Sequence, residues 1–146
     1  MSDQGEKLDG IEVMRQFLAN SPFAVKLGIE VVELSADFAR LRLPTDPSLA
    51  TAGEIVHGGA VSTLADTAAT AACWTAADIE PLRSGATVSL TVDYLEAASG
   101  TLEATAQVTR RGSLICFAEV GITDSSGKLV AKALATYRFL LARSSS

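Results

Sequence analysis

An alanine-rich stretch in the middle of the chain constrains the fold more than any other feature. No proline or glycine interrupts the sequence from Ala60 to Ile79, and eight of these twenty residues are alanines. Alanine is the strongest helix former, and its small side chain lets a neighbouring sheet approach a helix closely. We therefore predict a long central helix that is opened by Gly58 and Gly59 and wrapped on several sides.

Two strand-like runs precede this helix. Residues 27–34 and 38–43 are rich in Val, Ile and Leu, and the polar break at 35–37 between them predicts a hairpin. Upstream, residues 11–19 carry apolar side chains at helical spacing, and the segment Asn20-Ser21-Pro22 ends the pattern. A short amphipathic helix is expected there.

Four further strands are predicted after the helix. The first begins near Ala86, with Val88, Leu90, Val92 and Tyr94 on one face and Thr87, Ser89, Thr91 and Asp93 on the other. Short turns then separate strands at 102–109, 114–123 and 129–141, which predicts an antiparallel meander. Because no alternating βαβ pattern occurs, the fold class is α+β.

Length and composition limit the organisation to one domain. A chain of 146 residues with 48% hydrophobic and 20% charged residues buries a sufficient core and is not disordered. We predict an N-terminal segment with the short helix at 1–21, a single domain at 22–142, and a frayed tail at 143–146. The first several residues are expected to fray as well.

Composition also excludes several classes of function. The net charge of −5 and the 5% of aromatic residues argue against a nucleic-acid partner. No signal peptide or apolar span is recognisable, so we expect a cytoplasmic protein with no membrane partner. One histidine and two widely spaced cysteines leave no argument for a metal site, and Cys73 and Cys116 are expected to be reduced and buried.

The chemistry-bearing residues cluster at the start of the long helix. The N–H groups of Gly58 and Gly59 lie at the positive end of the helix dipole, which suits an oxygen that gains negative charge. Asp66 has no cation at helical spacing to pair with. The alternatives are that the glycines only make a turn, that Asp66 faces water, and that His57 caps the helix rather than catalyses.

Two other positions carry weaker signals. Thr87 begins the strand after the helix and has a hydroxyl that could bind a water or a carboxylate, although strand alternation alone allows it to face solvent. The run Arg110-Arg111-Gly112-Ser113 places two cations at a turn, where they either bind phosphate or form a solvated pair.

The residues around these positions resemble the hotdog-fold acyl-CoA thioesterases, and most closely the phenylacetate-pathway type. The similarity covers residues 22–141 and rests on three segments: 57–59 (HGG), 64–66 (LAD) and 87–95 (TVSLTVDYL). It implies an antiparallel sheet wrapped around the central helix and sites shared between subunits of a homodimer or homotetramer.

The resemblance also implies a role for each site residue. Asp66 would be the catalytic carboxylate, the glycine after His57 would supply an oxyanion N–H, and Thr87 would help to place the nucleophile. The turn at 110–113 falls where relatives often contact CoA. Many relatives carry Asn six residues before the histidine, whereas this chain has Thr51.

The leading functional hypothesis is therefore hydrolysis of an aryl- or alkyl-CoA thioester. Gly58 and Gly59 would polarise the carbonyl, Asp66 would act as general base or nucleophile, and no cofactor is expected beyond the CoA of the substrate. The alternatives are a non-catalytic acyl-CoA or small-ligand binding protein, and a hydratase of enoyl thioesters.

Overall fold

The computed structural model describes residues 9–80 and 82–142. Its helices are α1 (Gly10–Asn20), α2 (Pro22–Leu27) and α3 (Gly58–Thr75). Its strands are β1 (Glu30–Ser35), β2 (Phe38–Leu43), β3 (Ala50–Ala52), β4 (Ile55–Val56), β5 (Leu82–Tyr94), β6 (Leu102–Arg111), β7 (Ile115–Thr123) and β8 (Leu129–Leu141). Two predictions, fraying of the first several residues and of the tail at 143–146, concern residues that lie outside the described ranges.

Six strands form one antiparallel sheet in the order β1-β2-β6-β7-β8-β5. The sheet curls around α3, whose alanines are buried against it together with Leu64 and Cys73. The predicted α+β class, with a sheet wrapped around a long helix, is confirmed. Strand β5 pairs with β8 alone, so its other edge is unpaired among the described residues.

Helix α1 belongs to the same core. Its residues Met14 and Leu18 are buried, and Gly10 lies so close to α3 that a Cβ atom there would overlap the carbonyl oxygen of Trp74. The predicted short helix is confirmed. Helix α2 was not predicted, because Pro22 was interpreted only as the end of α1, whereas it also begins a new helix. The hairpin therefore begins at Glu30 and not at Leu27.

The predicted length of the central helix was wrong at its C-terminal end. It ends at Thr75, four residues before Ile79. The hydroxyl of Thr75 donates to the carbonyl of Ala72 and accepts a hydrogen bond from the N–H of Asp37, at 2.7 and 2.9 Å. The last turn is thus tied to the β1–β2 turn, a contact 38 residues away in sequence.

The predicted four-strand meander was wrong in one strand. Strands β6, β7 and β8 follow one another, but β5 lies beyond β8 rather than beside β6. The connection from β5 to β6 crosses the start of α3 and is held there, because the N–H of Val56 donates to Ala98 and Ile55 bridges Ser99. This long-range pairing replaces the short turn that local sequence predicted.

A bulge in β5 corrects the predicted facing of its side chains. Thr87 pairs with Tyr137 and Ser89 pairs with Thr136, so Val88 is an extra residue with no partner on β8. Thr87 faces α3, Val88 points away and is 60% exposed, and Leu90 faces α3 again. The bulge therefore aims the Thr87 hydroxyl at the helix.

Candidate active site

Asp66 lies half-buried on α3, on the side that faces β5. The hydroxyl of Thr87 donates a hydrogen bond of 2.6 Å to Oδ1 of Asp66. The side chains that the structure describes form no salt bridge with this carboxylate, and the hydroxyl of Thr87 fixes its orientation. Oδ2 is left to accept a proton or to attack.

His57 is the N-cap of α3. Its Nδ1 accepts a 2.8 Å hydrogen bond from the N–H of Gly59, which places the proton of a neutral imidazole on Nε2. The capping interpretation of His57 is therefore the observed one. It also changes the expectation for the two glycines, because the N–H of Gly59 is already used while that of Gly58 has no acceptor among the described residues.

Tyr94 is a site residue that sequence reasoning missed. Its hydroxyl donates to the carbonyl of Gly58 at 3.0 Å and contacts Oγ of Ser62, and its ring covers Gly58 closely enough to meet an added Cβ at 3.3 Å. The sequence placed Tyr94 only in a strand pattern. Tyr94 follows Thr87 by seven residues, an odd spacing that puts two residues of a regular strand on opposite faces. The bulge at Val88 brings both side chains to the same face of β5.

Gly58 and Asp66 are too far apart to act on one thioester within a single chain. Eight residues of helix separate them by about 12 Å along the axis. An oxyanion donor lies about 3 Å from the carbonyl oxygen, and a nucleophile lies about 3–3.5 Å from the carbonyl carbon. The reach of an aspartate side chain does not close that gap.

The structure does not bring the arginine turn to Asp66 within the chain. Gly112 and Ser113 lie beside the C-terminal end of α3, in a depression that Ala76 and Ala77 also line. Arg111 makes hydrogen bonds of 3.0 and 2.8 Å through Nε and Nη2 to Oδ1 of Asp37.

Arg110 and Thr51 are in other places. Arg110 is exposed opposite Phe117 on the outer face of the sheet, without a carboxylate partner among the described residues. Thr51 is exposed on β3 and lines a depression of about 420 Å³ that Gly58 and Tyr94 share. Of the predicted binding residues, only Thr51 therefore lies near the start of α3.

The two cysteines are free and buried, as predicted. The hydrogen bond that the Cys73 thiol donates to Cys116, together with burial, raises the pKa of Cys73 above its usual range, so this thiol stays protonated. The described part of the chain contains no group of three or more metal-ligating side chains. It also contains no helix of the length and apolarity that crossing a bilayer requires.

Comparison with known proteins identifies the family of this chain. A family model described as the thioesterase superfamily matches residues 53–131. The chain is 31% identical over 114 residues to acyl-coenzyme A thioesterase PaaI of Escherichia coli, covering 77% of this chain and 78% of that protein. It is 29% identical over 150 residues to medium/long-chain acyl-CoA thioesterase YigI of E. coli, covering 93% and 94%.

Solved structures show the same fold. The E. coli PaaI protein from the phenylacetic acid degradation operon aligns with a TM-score of 0.80 and 26% identity, covering 90% of this chain and 93% of that one. A thioesterase family protein from Silicibacter pomeroyi aligns with a TM-score of 0.84 over 91% and 99%. Fold and relatives together define a hotdog thioester hydrolase. The chain belongs to the thioesterase superfamily, and the resemblance to the phenylacetate-pathway type is confirmed.

Proposed function

We propose that the protein hydrolyses acyl-CoA thioesters. The observation that carries this proposal is the 2.6 Å hydrogen bond from Thr87 to Asp66, which orients a half-buried carboxylate between α3 and β5. Relatives named as acyl-CoA thioesterases support CoA as the thiol of the substrate. In this proposal CoA is part of the substrate, and no further cofactor takes part in the reaction. The proposed location of the protein is the cytoplasm.

Each step of the reaction has a group of this chain to perform it. The N–H of Gly58 polarises the thioester carbonyl, and Asp66 takes a proton from water as the water oxygen bonds to the carbonyl carbon. The tetrahedral intermediate then expels the CoA thiolate, which recovers the proton, and the free acid leaves. In the alternative route Asp66 itself attacks, and water hydrolyses the resulting anhydride.

The separation of Gly58 from Asp66 supports a site built from two chains. One chain supplies the oxyanion N–H and its partner supplies the carboxylate. The unpaired edge of β5 offers thirteen residues for pairing with a second copy, and the apolar side chains exposed beside it offer a further contact. These exposed apolar side chains, on the outer face of the sheet, are Val88, Phe117 and Leu134. We therefore propose a homodimer that associates further into a homotetramer.

Replacement of Asp66 by asparagine tests the chemistry. Asp66→Asn keeps the shape and the acceptor for Thr87 but removes the charge, so kcat/KM should fall at least 100-fold, about 2.7 kcal/mol. Thiol release from a panel of aryl- and alkyl-CoA thioesters measures it. Asp93→Asn, which changes an exposed carboxylate of β5 in the same way, is the matched control and should retain activity. Equal rates for native and Asp66→Asn proteins, with tight CoA binding, would instead favour the binding-protein alternative.

Mixing two inactive variants tests the shared site. Gly58→Pro deletes the N–H at the first helical position, where proline is tolerated, and the extended backbone of His57 (ψ 135°) suits a following proline. Gly58→Ala restores the N–H and controls for the added Cβ near Tyr94. Co-refolding Gly58→Pro with Asp66→Asn should recover about one quarter of native activity by random pairing into two-fold dimers. A site contained in one chain would recover none.

A further inference from the structure

A second pocket opens between α1, α3 and β5, one helical turn beyond Asp66. Its volume is about 260 Å³. Thr70 follows Asp66 by four residues on the same helix face, and Gly85 precedes Thr87 by two residues on the same strand face. Tyr137, which also lines the pocket, pairs directly with Thr87 across the sheet. The carboxylate–hydroxyl pair therefore lies next to residues that line the pocket.

The far wall of the pocket is aromatic and uncharged. Trp74 packs edge-on against Tyr137, with ring centroids 6.3 Å apart, and its Nε1 donates to the Tyr137 hydroxyl at 2.9 Å. Burial raises the pKa of Tyr137, and the charge of Asp66 adds to that rise, so the phenol stays neutral. Gly85 has no side chain, and an added Cβ would overlap the Tyr137 ring. This wall suits an apolar group.

Helix α1 closes the opposite side. Val13, Met14 and Phe17 line the pocket from α1, and Phe17 is 55% exposed at its outer limit. These residues lie outside the segment 53–131 that the family model matches. Any limit that they set on the bound group therefore comes from α1 and not from the segment that the family model matches.

We propose that this pocket holds the acyl group of the thioester and that Phe17 limits the length of the acyl group that the pocket accepts. The inference rests on the proposed thioesterase function. At the roughly 30 Å³ that a water occupies in the liquid, the pocket has room for about nine non-hydrogen atoms. Phenylacetyl and octanoyl groups, each with seven carbons beyond the carbonyl, fit. Dodecanoyl, with eleven, exceeds this room and would have to extend past Phe17.

Fluorescence of Trp74 reports occupancy without any need for hydrolysis. Trp74 is the single tryptophan of the chain and lines the pocket. The thioether analogue octyl-CoA should change its emission at saturation, whereas CoA alone should not. If calorimetry shows that octyl-CoA binds, but the Trp74 emission is the same with octyl-CoA as with CoA alone, the pocket assignment is overturned. If the emission changes but no thioester is hydrolysed, the pocket assignment stands and the proposed function fails.

Two matched phenylalanine variants test the length limit. Phe17→Ala removes the outer wall, while Phe23→Ala removes an equally exposed phenylalanine (58%) of α2 that does not line the pocket. We expect Phe17→Ala to raise the ratio of kcat/KM for dodecanoyl-CoA over octanoyl-CoA about tenfold or more, the size of effect that one methylene has in an apolar pocket. Phe23→Ala should leave the ratio within about twofold. An unchanged ratio in Phe17→Ala, or native activity that already favours dodecanoyl-CoA, overturns the proposal.

Discussion

The two ends of α3 meet the rest of the molecule in different ways. At the N-terminal end the contacts are side-chain hydrogen bonds from β5: Tyr94 to Gly58 and Thr87 to Asp66. At the C-terminal end the hydrogen bonds of Thr75 and Trp74 are joined by close packing contacts, with Gly10 against the backbone of Trp74 and Trp74 against Tyr137 and Phe139. The difference indicates that the N-terminal end carries the reacting groups, while the C-terminal end stabilises the fold and supplies the wall of the proposed acyl pocket.

The largest change in stability is expected from a substitution at the C-terminal end of α3, and it tests the difference between the two ends. Gly10→Ala places a methyl group where the Trp74 carbonyl stands, so α1 must shift, at a cost of about 2 kcal/mol. Thermal unfolding should show a Tm lower by roughly 4–8 °C, with kcat for octanoyl-CoA retained below the transition.

Gly121→Ala is the control for Gly10→Ala. An added Cβ at Gly121 meets only Leu129, at an ordinary 3.5 Å, so its Tm should stay near that of the native protein. Loss of kcat in Gly10→Ala with an unchanged Tm would contradict the division between the two ends.

A middle-sized effect is expected at Thr87. Thr87→Val keeps the shape of the side chain but deletes the donor to Asp66, so the carboxylate loses its fixed orientation. We expect kcat to fall about tenfold, roughly 1.4 kcal/mol, with little change in Tm. Steady-state thiol release measures the rate. Thr87→Ser, which keeps the hydroxyl, should recover most of it, and equal losses in both variants would point to packing instead.

The smallest effect is expected at Tyr94. Tyr94→Phe removes the hydrogen bond to the Gly58 carbonyl but keeps the ring that covers the glycine. One exposed neutral hydrogen bond is worth about 1 kcal/mol, so kcat should decrease up to about fivefold. Because the effect concerns the oxyanion donor, KM for octanoyl-CoA should hold. A raised KM with an unchanged kcat would assign Tyr94 to substrate binding.

The elements that local pattern governs were predicted well. The glycine pair and the alanine run placed α3 and its start, and turn residues placed β6, β7 and β8. What sequence reasoning missed depends on distant partners. The helix ends where Thr75 meets Asp37, and β5 lies at the sheet edge because the 95–101 connection crosses the helix. Neither contact leaves a periodic signal in the sequence.

The candidate site divides in the same manner. Asp66, Thr87 and Gly58 were named from the sequence, and the structure brings Asp66 and Thr87 into contact. The bulge at Val88, which gives Thr87 its direction, was not foreseen because strict alternation assumes a regular ladder. Likewise, the pairing of Arg111 with Asp37 depends on the left-handed backbone of Asp37 (φ 61°) in a turn far along the chain.

The open edge of β5 has a consequence for how the protein behaves in solution. Residues 84–94 contain no proline and a single charged residue, Asp93, so the bulge at Val88 is the device in this stretch that limits strand addition. In a lone chain the rest of this edge is open to pairing with other strands, which is an aggregation hazard. Pairing with a second copy would remove that hazard by covering the edge. The proposed assembly would then protect the protein from aggregation and also complete its active site.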